Sequence, residues 1–133
     1  MTSPKVASLD HLVLTVADID ATVAFYCDVL GMQAEVFYPA DGSIRTALKF
    51  GDQKINLHPK GGEFDPKAQA PTAGSADLCF LSETGLDVWA AHLSKHGVAT
   101  QEGPVKRTGA TGPINSVYVR DPDQNLIEIS VRL

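Results

Sequence analysis

Four polar positions in otherwise apolar, alternating segments carry the chemistry this sequence can offer: His11, Asp77, Glu128, and Asn56 or His58 at the fourth. Imidazole and carboxylate groups suit a divalent ion such as Zn²⁺, Ni²⁺, Mn²⁺ or Fe²⁺, and a set of three protein ligands keeps coordination positions open for a substrate. Glu128 and His58 are also groups that can move a proton. Taken singly, each is the polar half of a strand or a cap at its start. Their positions set them apart. Asp10-His11-Leu12-Val13-Leu14 aligns with Ala76-Asp77-Leu78-Cys79-Phe80 at a shift of 66 residues (77 − 11), which also puts Gly31 on Gly97. Ile55-Asn56-Leu57-His58 aligns with Ile127-Glu128-Ile129-Ser130 at a shift of 72. The candidates therefore sit at equivalent places in a unit written twice.

The elements that must position them follow from apolar spacing. Over 9–16, Leu12, Leu14 and Val16 alternate with His11, Val13 and Thr15, so a strand turns its even residues to a covering helix and His11 away from it. Asp18 or Asp20 caps the helix that follows, and Gly31 stops it. Strands are expected at 33–38, 44–50 and 54–58, with turns at Pro39-Ala40-Asp41-Gly42 and Gly51-Asp52. Residues 59–74 hold three prolines and three glycines and read as a connector. The pattern then restarts with a strand at 76–82 and a helix at 86–96, followed by strands at 114–120 and 125–131. The expected class is α+β: two tandem βαβββ modules, about 7–58 and 75–133, forming one curved mixed sheet with helices outside. His11, Asp77, Glu128 and Asn56 or His58 then face the inside of the cup.

Composition narrows the function classes. The chain has 133 residues with 11 basic and 16 acidic, a net charge of −5, and 44% hydrophobic residues. It lacks a basic tract for phosphate backbones, which argues against nucleic acid. No apolar run approaches the roughly 20 residues that span a bilayer, and the first residues show no apolar signal segment. Cys27 and Cys79 match no metal or redox spacing and are expected to be free thiols in a cytoplasmic protein.

Other features bear on the site. The stretch 106–115 reads as a glycine-bearing loop between strands, where Lys106 and Arg107 can hold an anionic substrate at the mouth of the cup. It lacks the GxxxxGK[ST] pattern of a P-loop. Arg120 can pair with a carboxylate of the site or with the Asp121-Pro122-Asp123 turn. Phe64 either covers the pocket or tucks onto the core. His92 and His96 are four residues apart, but on an outer helix without an HExxH motif, and His96 maps onto apolar Leu30.

Asp10-His11-Leu12-Val13-Leu14-Thr15-Val16, the helix with Phe25-Tyr26 ending Val29-Leu30-Gly31-Met32, and Arg120-Asp121-Pro122-Asp123-Gln124-Asn125-Leu126-Ile127-Glu128 resemble the vicinal oxygen chelate superfamily. That superfamily includes glyoxalase I, extradiol dioxygenases, fosfomycin-resistance enzymes and bleomycin-binding proteins. Phe50-Gly51-Asp52-Gln53-Lys54-Ile55-Asn56-Leu57-His58 and Glu102-Gly103-Pro104-Val105-Lys106-Arg107-Thr108-Gly109-Ala110-Thr111-Gly112-Pro113-Ile114 more narrowly resemble its glyoxalase domain-containing protein five subgroup, described in bacteria as virulence-protein-like. The resemblance implies a homodimer with a divalent metal held by His11 and Glu128. Asp77 stands where many members have a histidine, and Asn56 where glyoxalase I has a glutamate, with His58 nearby. The implied function is a metal-dependent lyase, isomerase or ring-cleaving dioxygenase acting on a small oxygen-chelating substrate. Glu128 and His58 would be catalytic, and Asn56, Arg107 and Arg120 would bind substrate. The alternative is a metal-free small-molecule binder of the bleomycin-resistance type.

Overall fold

A computed structural model describes residues 3–133. The first module runs β1 (His11–Val16), α1 (Ile19–Ala24) continuing into a π-helical segment (Phe25–Val29), β2 (Gln33–Phe37), β3 (Arg45–Phe50) and β4 (Gln53–Pro59). The second runs β5 (Asp77–Leu81), α2 (Leu86–Lys95), β6 (Glu102–Thr108), β7 (Pro113–Arg120) and β8 (Leu126–Arg132). Asp18 caps α1 through a hydrogen bond from the Ala21 N–H at 3.0 Å. Gly31 and Gly97, equivalents under the 66-residue shift, end the two helical stretches with φ of 77° and 69°, in the region that favours glycine.

The eight strands form two four-stranded mixed sheets, ordered β1-β4-β3-β2 and β5-β8-β7-β6. In each, the first and last strands of the module pair in parallel, and the others pair antiparallel. Val13 lies opposite Asn56 in one sheet and Cys79 opposite Glu128 in the other, so the two sequence shifts recur as one register. The duplication is legible in three dimensions.

One face of each sheet feeds a shared core. Leu14 and Val16 of β1, Ile55 and Leu57 of β4, and Ile127 and Ile129 of β8 are buried with Tyr26 and Val29 of the first helical stretch and Leu86 and Leu93 of α2. Phe50 of one module meets Phe80 of the other edge to face, with ring centroids 5.3 Å apart. The β7–β8 turn ties the modules with polar bonds: Tyr26 donates its hydroxyl to Asp121 at 2.7 Å, and the Ala17 N–H donates to Asp123 at 3.1 Å. Both helices are thus spent on the core, and each sheet's other face carries the candidate residues.

Where the sequence suggested a loop over 106–115, β6 runs on to Thr108 and β7 resumes at Pro113. Lys106 and Arg107 are strand residues, and only 109–112 remain as loop. Strand β6 is mostly exposed and contains Gly103-Pro104, so it shows none of the apolar alternation that marks a half-buried strand. Among the described residues, no helix is long and apolar enough to cross a membrane.

Candidate functional site

The site residues fall on two open sheet faces, one per module. On the first, β1 presents His11, Val13 and Thr15, and β4 presents Asn56 and His58 beside Val13 and Thr15. His11 Nδ1 lies 2.8 Å from Asp10 Oδ1. A carboxylate can only accept, so the ring proton sits on Nδ1 and the Nε2 lone pair is free, the arrangement metal-binding histidines use. Asn56 Oδ1 is buried and accepts no hydrogen bond. His58 is buried. Its Nδ1 accepts the Phe64 N–H at 3.4 Å, and the Phe64 ring packs edge-on 5.1 Å away, under the Arg45 guanidinium. Phe64 therefore closes over His58. Four residues along β4 separate His58 from Lys54, the register partner of His11, a distance of about 13 Å.

Burial and the Arg45 cation hold the His58 pKa below its ordinary 6.5, partly opposed by Glu63. The folded chain therefore resists protonation that the unfolded chain accepts. Stability from this group is present above pH 6.5 and is lost as pH falls through that value and then through the depressed one. Melting curves of the wild type and His58→Gln between pH 8 and pH 5 should show the wild type losing more on acidification. Parallel curves would contradict this.

On the second face, β8 presents Glu128 and Ser130, β7 presents Ser116 and Tyr118, and β5 presents Cys79 with Asp77 at its start. Glu128 Oε2 accepts from the Ser116 hydroxyl at 2.6 Å and the Ser130 hydroxyl at 3.3 Å. The two hydroxyls lie 2.7 Å apart, and Cys79 Sγ lies 3.2 Å from Ser130 Oγ. Both serines are fully buried, so this ladder holds one carboxylate oxygen and leaves Oε1 for a ligand. Burial pushes the Cys79 thiol up against the lowering bond from Ser130, and Glu128 and Asp77 push it further. Cys79 stays a thiol, which argues against a nucleophile.

Arg107 shares a cavity of about 380 Å³ with Cys79 and Glu128. Its guanidinium donates to the Tyr118 hydroxyl at 2.9 Å and pairs with Glu102. Arg120 donates to the Gln101 side chain at 2.8 Å and to the Gln124 carbonyl at 3.1 Å, so it braces the turn rather than a carboxylate of the site. His92 Nε2 lies 2.8 Å from the Val29 carbonyl, joining the helical stretches of the two modules. Both cysteines are free thiols.

A model for the Glyoxalase/Bleomycin resistance protein/Dioxygenase superfamily matches residues 8–129. The chain belongs to that superfamily. It is 57% identical over 126 residues to "Glyoxalase domain-containing protein RDO1" of Mycosarcoma maydis, covering 95% of this chain and 69% of that protein. It is 55% identical over 122 residues to "Virulence protein STM3117" of Salmonella typhimurium, covering 92% and 82%. A solved structure from the mobile metagenome of V. Pseudocholerae, VPC_CASS1, superposes with a TM-score of 0.92 at 56% identity, covering 98% of each chain.

The superfamily often uses a divalent metal, although some members are metal-free. The donor chemistry suits one: His11 keeps Nε2 free and Glu128 keeps Oε1 free. Within one chain, however, no three His, Cys, Asp or Glu side chains among the described residues come together around a point that could hold an ion. His11, Asn56 and His58 lie on the module-one face, and Asp77 and Glu128 on the module-two face. One chain does not bring these donors into a single site.

Sequence reasoning missed Ser116 and Ser130 as the supports of Glu128, although Ser130 follows it by two and so shares its face. Ser116 lies on a neighbouring strand, and no sequence spacing marks it.

Proposed function

We propose that the protein is a homodimeric, metal-dependent enzyme of the glyoxalase type, acting on a small substrate with two neighbouring oxygens. In this reading each site combines the module-one face of one protomer with the module-two face of its partner. The observation that carries it is the division of prepared donors between two incomplete faces. His11 is oriented by Asp10 on one, and Glu128 by Ser116 and Ser130 on the other. Apolar neighbours on these faces support it: Val13 is 45% exposed and Leu81 52% exposed, surface that a second chain would bury.

His11 and Glu128 would hold the ion, with Asp77 as a further carboxylate. When bound, the ion supplies Lewis-acid stabilisation of an enolate or alkoxide. Glu128 keeps one oxygen fixed by two hydroxyls and would offer the other to the ion. Val13 and Leu81 exclude water as the faces meet. A metal-free binder is the second reading. Asn56, an amide where glyoxalase I has a glutamate, favours it, because a neutral amide is a weaker metal ligand than a carboxylate.

Mixing separates these readings. Elemental analysis of chain purified without chelator should find metal in the wild type and little in His11→Ala or Glu128→Ala. Co-refolding the two variants should restore about a quarter of the sites, since half the dimers are mixed and each mixed dimer rebuilds one site of two. Less than roughly a tenth of an equivalent in the wild type, after offering Ni²⁺, Mn²⁺, Fe²⁺ and Zn²⁺, would leave the metal-free binder. No recovery on mixing would rule out a site shared between chains.

A further inference from the structure

One chain by itself builds a cavity of about 530 Å³ where the ends of β1 and β4 meet the connector. Two buried side chains reach it with polar atoms the chain leaves unused. His58 is 5% exposed and spends Nδ1 on the Phe64 N–H, which places its proton on Nε2 as a donor. Thr15 is 8% exposed and lies opposite His58 in the β1–β4 register. It lines the same cavity, and its hydroxyl makes no hydrogen bond to the described residues. Lys67 adds an ammonium whose only ion-pair partner among the described residues, Asp65 at 3.4 Å, is itself exposed. No carboxylate lines the cavity. The charges around His58 are Arg45, stacked on Phe64, and Glu63, which accepts the Gly61 N–H at 3.2 Å. The remaining wall is largely aliphatic, as at Val13 and Pro71.

Both side chains are mostly buried and fixed in place while these polar atoms stay open to the hollow, so a molecule entering it can take both in place of water. Two neutral donors, one cation and no acid select an anion. The aliphatic wall and the volume select a small organic one. We propose that this cavity binds a small organic monocarboxylate. Its carboxylate is taken by His58 Nε2–H, the Thr15 hydroxyl and Lys67, and its apolar body lies along Pro66 and Pro71. The inference does not rest on a metal or on a second chain, because every group belongs to one chain.

The test titrates isotope-labelled full-length protein with sodium propionate, followed at the backbone amides. Propionamide and propylammonium serve as neutral and cationic isosteres. Propionate should give saturable shifts at Thr15 and Phe64, propionamide should bind about tenfold more weakly, and propylammonium should not bind. Thr15→Val, nearly isosteric, and His58→Leu should each weaken propionate about tenfold. His11→Ala should leave it unchanged, which keeps this result separate from the metal assay. The proposal is overturned if propionamide matches propionate, if folded Thr15→Val binds propionate with full affinity, or if the folded wild type shows no saturable shift.

Discussion

Replacing Asp121 with alanine is expected to lower the thermal midpoint by roughly 10–20 °C, the largest loss from any single polar change in this chain. Asp121 is 2% exposed. It accepts from the Tyr26 hydroxyl at 2.7 Å, from Asn125 Nδ2 at 2.8 Å, and from the Asp123 and Asn125 backbone N–H groups at 2.9 Å each. Alanine would leave these buried donors without acceptors, at a cost of about 3–5 kcal/mol. Burial, and then the Asp121 charge, push the Tyr26 phenol far above its ordinary pKa, so it remains a neutral donor throughout. Tyr26→Phe keeps the ring in the core and removes one bond to the carboxylate, and should cost about 1–3 kcal/mol. The double variant should lose less than the sum, because the same bond disappears in both. Calorimetry of the four proteins checks this, and additive losses would contradict a direct latch between the modules.

Gly103→Ala should be the most damaging glycine substitution, at about 2–4 kcal/mol by urea denaturation. Gly103 has φ +104°, at the bulge where the β6–β7 register shifts between Glu102 and Val105. A Cβ there would collide with the Ser116 carbonyl oxygen and lie 3.0 Å from Val117 Cα, both backbone atoms that cannot swing aside. Ser116 is the residue whose hydroxyl holds Glu128, so the damage should reach the site as altered chemical shifts around Glu128. Gly42→Ala is the control. Its φ is +82° but nothing lies within 4 Å of the added carbon, so only backbone strain of about 1 kcal/mol is expected. Equal losses in the two variants would mean that strain, not the clash, sets the cost at Gly103.

The candidate residues divide by how their positions are encoded. His11, Asn56, Asp77 and Glu128 were legible because a strand has a period of two and the unit is repeated, so one alignment assigns faces in both modules. The register pairs of Val13 with Asn56 and Cys79 with Glu128 follow that assignment. Lys106 and Arg107 were read as loop because an exposed edge strand containing Gly-Pro carries no burial signal to alternate. Arg120 was left open between two partners, and its geometry, donating to Gln101 and the Gln124 carbonyl, depends on a side chain 19 residues away. Ser116, Thr15 and the Tyr26–Asp121 latch were silent, since hydroxyls on alternating strands look alike until their partners are known.

The sequence by itself determined the family, the duplicated βαβββ order and which residues share a face, because these rest on local periodicity and repetition. Only the tertiary structure decided how the two faces sit. Both helices and one face of each sheet are consumed by one core, so the polar faces stay open and His11 and Glu128 stay on separate faces within a chain. That outcome depends on which apolar surfaces meet, a long-range packing choice that no local pattern encodes. The same packing folds the connector over Thr15 and His58 and makes the cavity that a single chain owns.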